Sequence, residues 1–93
     1  MTRVLLRSSA FVRAAKRRFK RKPDQAADLL TTLALLAEDA FDPRLKTHKL
    51  TGDLDKSWAC SAGYDLRVIF SFVQHNGVEA ILLETVGTHD EVY

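Results

Sequence analysis

The chain has 93 residues, of which 46% are hydrophobic and 28% are charged. This composition is typical of one small globular domain with a single core, and it excludes a disordered tail or a fibrous repeat. No run of about 18 uncharged apolar residues, the length that crosses a bilayer, occurs in the chain. The single cysteine, Cys60, cannot form a disulfide within the chain, so we expect an intracellular protein.

Positive charge is concentrated at the N-terminus. Residues 1–22 contain nine Lys or Arg and no acid, whereas residues 23–93 carry a net charge of −7. Such a segment favours a polyanionic partner or an acidic protein partner. A solvated helix face is an equally simple interpretation. A mitochondrial transit peptide is also Arg-rich and free of acids, but it is cleaved, whereas we expect the fold to need this segment.

The first helix follows a short strand. Residues 3–7 are apolar in the middle and precede two serines that can cap a helix. Phe11, Ala15 and Phe19 recur at a spacing of four, which predicts a helix that ends at about residue 22. Cations recur on another face of this helix and form a continuous basic stripe: Arg13, Lys16, Arg17, Lys20 and Arg21.

A second helix is predicted after Pro23 and Asp24, which suit a helix start. Leucines and alanines then recur at spacings of three and four. The helix should end near Phe41, because the residue before Pro43 is disfavoured in helical geometry. The two apolar stripes therefore predict a helical hairpin.

The second half of the chain predicts three strands. After a polar connector at 44–51, three segments rich in β-branched and aromatic residues lie at 54–61, 64–74 and 78–86. Asn76 and Gly77 join the last two as a tight hairpin turn. The order of strand, two helices and three-strand antiparallel meander predicts an α+β fold, with one twisted sheet and the helices packed on one face. We expect a single domain over residues 1–93.

The hairpin turn also predicts a register. One apolar side of the sheet should meet the helices, with these facing pairs: Phe72–Ile81, Phe70–Leu83 and Val68–Thr85. The opposite side should carry polar groups: Asp65 facing Thr88 and Arg67 facing Val86, with Ser71 and Glu84 further along. Ionic groups can sit on this second face without burial.

Motifs that would indicate a cofactor or a metal are missing. The sequence has no Gly-rich phosphate loop, no cysteine pair and no His-x-x-x-His spacing, so we expect neither cofactor nor metal. His75 is interpreted as a residue of the hairpin turn. Cys60 has no assignable basic partner and is not expected to be a nucleophile. A Ser/His/Asp triad stays open, because any chain of this size contains those residue types.

Two histidines suggest a metal-free site that cleaves RNA. His48 lies between two lysines, and His89 follows the last predicted strand. RNA cleavage needs a base for the ribose 2′-OH, cations for the charged phosphorane and an acid for the leaving 5′-oxygen. Further residues could complete such a site: Asp65, Arg67, Tyr93, Lys46 and Lys49. An aromatic ring near the site could stack on a base.

Three spaced motifs carry a family resemblance. They are LKTHKLTG at 45–52, the segment from Trp58 through YDLRVIF at 64–70, and VGTHDEVY at 86–93. Together they resemble the RelE/ParE toxin superfamily, and the Gly-Thr-His ending resembles its YafQ branch. The basic N-terminal hairpin also suits that superfamily, so the resemblance covers nearly the whole chain and implies a RelE-like fold.

The resemblance implies a toxin of a bacterial type II toxin–antitoxin system. Such a toxin would enter the ribosomal A site in the cytoplasm and cut mRNA without a metal or cofactor. A cognate antitoxin would wrap it and hold it inactive. Operator DNA would be contacted only through the antitoxin, and no membrane would be involved.

The resemblance also implies roles for particular residues. His48 and His89 match histidines that transfer protons, and Asp65 matches an acidic site residue. Arg67 matches an arginine that stabilises the phosphorane, and Tyr93 matches a terminal aromatic residue implicated in activity. Cations are placed to hold RNA beside His48 or to contact ribosomal RNA from the first helix: Lys46, Lys49, Arg13, Lys16, Arg17 and Lys20.

The chain departs from the YafQ pattern at two places. Ser61 or a neighbour stands where that pattern has a further histidine, and Thr85 or Val86 stands where it has an arginine. Arg67 could replace the missing cation. The general base is therefore open between the two histidines that remain.

Two alternatives to an mRNA endonuclease stay open. One is a ParE-like toxin that inhibits DNA gyrase by binding, and the other is a non-catalytic nucleic-acid-binding module that uses the basic stripe alone. The histidine and arginine set argues against the first, because the ParE branch generally lacks it.

Overall fold

The computed structural model describes residues 2–52 and 56–93. Its elements, in chain order, are β1 (Leu5–Arg7), α1 (Ser9–Arg21), α2 (Gln25–Glu38), a 3₁₀ turn (Pro43–Leu45), β2 (His48–Lys49), β3 (Trp58–Ala62), β4 (Leu66–His75), β5 (Val78–Thr88) and α3 (His89–Val92). The predicted strand, helical hairpin and meander are all present. The predicted start of the first meander strand at residue 54 lies outside the described residues.

The two long helices are bounded for local reasons. α1 begins where predicted, because the Ser8 hydroxyl accepts a hydrogen bond of 3.0 Å from the backbone N–H of Phe11. α2 ends at Glu38, earlier than the predicted end near Phe41. Asp39 adopts an extended backbone, and its carboxylate accepts from the Phe41 N–H at 3.0 Å. This side-chain turn competes with the helix and stops it.

The sheet has five strands in the order β1-β5-β4-β3-β2. β1 runs parallel to β5, and the other neighbours are antiparallel. The predicted α+β class with a single sheet is confirmed. β2 lies within what was predicted to be a connector, and α3 follows the last strand where no helix was predicted.

The register between β4 and β5 is confirmed near the turn and wrong beyond it. Phe72 pairs with Ile81 and Phe70 with Leu83, but a bulge then shifts the pairing by one residue. The predicted pairs Val68–Thr85, Arg67–Val86 and Asp65–Thr88 are replaced as follows: Val68–Val86, Arg67–Gly87 and Leu66–Thr88. Glu84 is the extra residue in β5. The bulge thereby buries apolar Val86 on the core face in place of Thr85.

Apolar residues are buried on both faces of the sheet. The main core lies between the sheet and the two long helices, and Leu36 and Phe70 at its centre are fully buried. A smaller cluster on the opposite face contains Leu50, Ala59 and Ile69, and Val92 of α3 packs against it. We call this opposite face the α3 face. None of the described helices is long and apolar enough to cross a membrane.

Candidate active site

His48 reaches the α3 face through β2. It pairs with Ala59 of β3, which pairs with Ile69 of β4, which in turn pairs with Thr85 of β5. Residues directly opposite one another in a sheet project to the same side. The edge strand that the sequence did not reveal therefore places the imidazole of His48 beside the residues that α3 covers.

The short helix α3 presents the other two aromatic groups of the site. Its N-terminus is closed by a capping box, in which the Thr88 backbone N–H donates to Glu91 Oε1 at 2.8 Å. Val92 anchors the other end on the small apolar cluster. These contacts place His89 at the first residue of the helix and Tyr93 just after its last.

Tyr93 lies between the two histidines. Its ring makes an edge contact with that of His89, with 4.6 Å between centroids, and its centroid lies 6.3 Å from that of His48. The Tyr93 Oη is 3.3 Å from His48 Nε2. All three side chains are exposed to solvent. The fold thus gathers two imidazoles that are distant in sequence around one phenol ring.

The ring of His48 is oriented by the backbone. Its Nδ1 lies 3.1 Å from the carbonyl oxygen of Lys46. Since a carbonyl only accepts, this hydrogen bond assigns the proton to Nδ1 and leaves the lone pair on Nε2. The Tyr93 hydroxyl can then donate to Nε2. An accessible lone pair on a fixed imidazole is what a general base requires.

Arg67 lies in the same row of the α3 face as two small residues. It pairs with Ser61 on one side and with Gly87 on the other. Its Nη1 donates to the carbonyl oxygens of Tyr64 at 3.3 Å and Leu66 at 3.0 Å. These two bonds hold a half-buried guanidinium on the sheet, and among the residues that the structure describes they leave its other N–H groups for an anion.

Tyr93 is close enough to Arg67 to respond to its charge. Burial raises the pKa of the Tyr93 phenol above its ordinary value, and the positive charge of Arg67 opposes part of that rise. The hydroxyl is consequently protonated at neutral pH. It can serve as a hydrogen-bond donor to His48, and its ring carries no charge.

Asp65 is separated from the two imidazoles. Its carboxylate lies 3.8 Å from Nη2 of Arg18 in α1, and its side chain is half exposed. Within the described ranges, no hydrogen bond or ion pair joins it to His48 or His89. The bulge explains the displacement, because Leu66 takes the place opposite Thr88 that the predicted register gave to Asp65.

The cations predicted to bind RNA form two groups. Lys46 and Lys49 are exposed on either side of His48. The predicted α1 set is also exposed, and it comprises Arg13, Lys16, Arg17 and Lys20. Because α1 packs on the main-core face of the sheet, the structure does not bring this second group together with the imidazoles.

Arg18 and Glu91 are site residues that the sequence reasoning missed. The Arg18 side chain is only 12% exposed, and its guanidinium lies 3.8 Å from the carboxylates of both Asp65 and Glu91. It follows Phe11 and Ala14, the two buried residues of α1, at helical spacing. That spacing is the sequence signal that distinguishes Arg18 from the solvated cations of the stripe.

Cys60 and metal ligation are not part of the arrangement. Cys60 is fully buried, and burial raises the pKa of its thiol to about 12, so the thiol is protonated and unreactive. In the part of the chain that the structure describes, no three His, Cys, Asp or Glu side chains group to hold a metal ion.

Solved structures of known proteins share this fold. The crystal structure of YafQ from E. coli strain BL21(DE3) has a TM-score of 0.72 at 18% identity and covers 98% of each chain. The crystal structure of the E. coli DinJ-YafQ toxin-antitoxin complex has a TM-score of 0.70 at 20% sequence identity, and the match covers 100% of this chain and 99% of that chain. The YoeB/ParE toxin from Agrobacterium tumefaciens has a TM-score of 0.73 at 11% sequence identity, and the match covers 92% of this chain and 98% of that chain.

These structural similarities establish the fold, whereas a match between the sequence and a family model establishes the family. No curated protein sequence matches the chain significantly. The family model described as a bacterial toxin of type II toxin-antitoxin system, YafQ, matches residues 3–93. The chain therefore belongs to the YafQ family of toxins of bacterial type II toxin–antitoxin systems.

Proposed function

We propose that this toxin is a ribosome-dependent endoribonuclease that cuts mRNA in the A site by metal-free acid/base transesterification. The observation that carries the proposal is the cluster of His48, Tyr93 and His89, with Arg67 within electrostatic reach. Two imidazoles and a cation are the groups that this chemistry needs.

The oriented ring of His48 makes it the better candidate for the base. In the proposed step, His48 Nε2 accepts the proton of a ribose 2′-OH, and the 2′-oxygen attacks the adjacent phosphorus. Arg67 stabilises the charged phosphorane. As the bond to the 5′-oxygen breaks, His89 donates a proton to that oxygen. The products are a 2′,3′-cyclic phosphate and a 5′-hydroxyl, and no water is consumed. In the free toxin the Tyr93 hydroxyl hydrogen-bonds to Nε2. The ribose 2′-OH takes its place there, and the Tyr93 ring is available for stacking on a base.

The departures from the YafQ pattern bear on Arg67. The missing histidine corresponds to Ser61 or a neighbour, and Ser61 pairs with Arg67. The missing arginine corresponds to Thr85 or Val86, which pair with the two residues that follow Arg67 in β4. A guanidinium beside these positions supports the proposal that Arg67 supplies the missing cation. Asp65 contributes negative charge beside Arg18 and has a supporting role in this scheme.

We assign the basic stripe of α1 to ribosomal RNA. Its exposure on the outer side of the helix supports contact with phosphates, and Lys46 and Lys49 are placed to hold the mRNA near His48. Each phosphate that a protein neutralises steepens the salt dependence of binding by about 0.7–0.9 in the logarithmic slope. Replacing Arg13, Lys16, Arg17 and Lys20 by Gln should therefore reduce the salt dependence of ribosome binding, whereas His89→Ala should not.

A cognate antitoxin is the protein partner we propose. The E. coli YafQ structure in complex with DinJ supports it by family membership. An acidic or amphipathic segment could cover the basic stripe, the α3 face, or both. Operator DNA would be contacted through the antitoxin, and the toxin would act in the bacterial cytoplasm.

Induced expression without antitoxin tests the function. Growth is followed while the 5′ ends of translated mRNA are mapped, with His89→Ala as the control and antitoxin co-expression as the rescue. We expect growth arrest with new in-frame 5′-hydroxyl ends that vanish in the variant. Arrest with intact mRNA would contradict the nuclease and favour gyrase inhibition. Equal toxicity of His89→Ala would favour a binding module.

A further inference from the structure

Gly87 allows α3 to lie directly against β5. A Cβ at this position would meet Glu91 Oε1 at 3.0 Å, Glu91 Cβ at 3.1 Å and Val92 Cγ1 at 3.2 Å. These distances are shorter than ordinary van der Waals contact, so a side chain here would require Glu91 and Val92 to give by a few tenths of an ångström. The glycine of the Gly-Thr-His motif thus has a packing role that is separate from the histidine beside it.

Glu91 connects α3 to two other parts of the fold. One carboxylate oxygen accepts from the Thr88 N–H at the start of the helix and also lies 3.8 Å from Nη1 of Arg18. The backbone hydrogen bond from Thr88 is the main reason that the pKa of Glu91 is lowered, and the charges of Arg18 and Arg21 add to it. The carboxylate is therefore ionised at neutral pH.

Arg18 is itself held in place. Its Nε donates to Gln25 Oε1 of α2 at 2.6 Å, and its guanidinium is largely shielded from solvent. The Glu91 side chain is half exposed, so the ion pair is shielded from solvent only on the Arg18 side. Arg18 is thus fixed in the helical layer at a position where Glu91 of α3 can contact it.

We propose that Gly87, Glu91 and Arg18 form a seat for α3 that positions His89 and Tyr93. A helix of four residues cannot hold its own conformation in water, so its place depends on tertiary contacts. The three residues are positioning residues: they act through α3 on the imidazole and the phenol. The effect on catalysis rests on the proposed function, whereas the effect on the geometry of α3 does not.

Two charge variants and their combination test the ion pair in the seat. Glu91→Gln keeps an oxygen that can accept from Thr88 but removes the charge that faces Arg18, and Arg18→Met removes the charge on the other side. Glu79→Gln is the matched control, because it disrupts the 2.8 Å ion pair with Arg3 at the opposite end of β5.

Each variant is followed by two readouts. Nuclear Overhauser contacts between the rings of Tyr93 and His48, which lie on different elements, report the position of the helix together with amide exchange in α3. Single-turnover cleavage of ribosome-bound mRNA reports catalysis. We expect each single seat variant to weaken the ring contact and to lower the rate constant by about 10- to 100-fold, with KM unchanged. The double variant should be no worse than the worse single variant, and Glu79→Gln should behave as wild type.

Gly87→Ala tests the same seat without changing a charge. Its Cβ should push Glu91 and Val92 away by a few tenths of an ångström and should weaken the contact between the two rings in the same way. Thermal unfolding confirms that each variant is folded. Unchanged ring contacts in Gly87→Ala and in both charge variants would overturn the seat, as would additive rate losses in the double variant. If the wild type cleaves no RNA, the ring contacts still decide the seat, and only the proposed function fails.

Discussion

His48→Asn separates the chemistry of the site from its architecture. An asparagine amide can place an N–H close to the position of Nδ1 and so keep the donation to the Lys46 carbonyl, which is 3.1 Å in the wild type. It removes Nε2, the nitrogen that faces Tyr93. Since His48 is exposed on an edge strand, the substitution leaves no cavity in either apolar cluster of the described residues.

The expected losses differ greatly in size. Removing a general base typically costs about 10²- to 10⁴-fold in rate, or roughly 3–5 kcal/mol in the barrier. The substitution also removes the hydrogen bond of 3.3 Å between Tyr93 and His48, and such a bond contributes about 0.5–1.5 kcal/mol to stability. Cleavage should therefore fall by orders of magnitude while the midpoint of thermal unfolding falls by a few degrees.

The assay is single-turnover cleavage of mRNA on programmed ribosomes. The His48→Asn rate should lie about 10²- to 10⁴-fold below that of the wild type. Tyr93→Phe is the matched control, because it removes the same hydrogen bond but keeps both imidazoles, and its rate should fall by about 10-fold or less. A His48→Asn rate within about 10-fold of wild type would refute the assignment of the base.

Three further predictions concern stability and titration. In a Tyr64→Phe background, phenolate absorbance should show a Tyr93 pKa above its ordinary value, and Arg67→Gln should raise it further. Because folding raises this pKa, the stability it contributes is complete below the ordinary pKa and is lost as pH rises through the raised one. Cys60, with a thiol pKa raised to about 12, should react with a disulfide reagent only as fast as the protein opens. Leu36→Ala, at a fully buried position, should lower the free energy of unfolding by about 2–5 kcal/mol in a denaturant titration.

The sequence predicts those parts of the fold that follow from local periodicity. The stripe from Phe11 to Phe19 predicts α1, and the Asn76-Gly77 turn predicts the register as far as Phe70 and Leu83, because both depend on neighbouring residues. The bulge at Glu84 depends instead on which residue the core can accept, Val86 or Thr85. That choice is made by packing across layers and leaves no local pattern.

Short elements are the other part that local pattern does not predict. β2 has two residues and α3 has four, which is too few for a period of two or of 3.6 to be recognised. Their existence depends on pairing with β3 and on packing over Ile69. The family motifs indicate His48, His89 and Tyr93 as site residues even though β2 and α3 are not predicted. Only these two elements explain why the three side chains meet.

The assembly of the site from its two shortest elements separates activity from global stability. Arg67 lies on β4, in the middle of the sheet, whereas His48, His89 and Tyr93 lie on or beside β2 and α3. Elements held by few contacts open at a lower free energy than the whole fold. Leu36→Ala should thus reduce the free energy of unfolding and leave the cleavage rate nearly unchanged, whereas Gly87→Ala should reduce the rate and leave the core intact. The opposite pattern would mean that the site and the core open as one unit, and that α3 derives its position from the whole fold rather than from its seat.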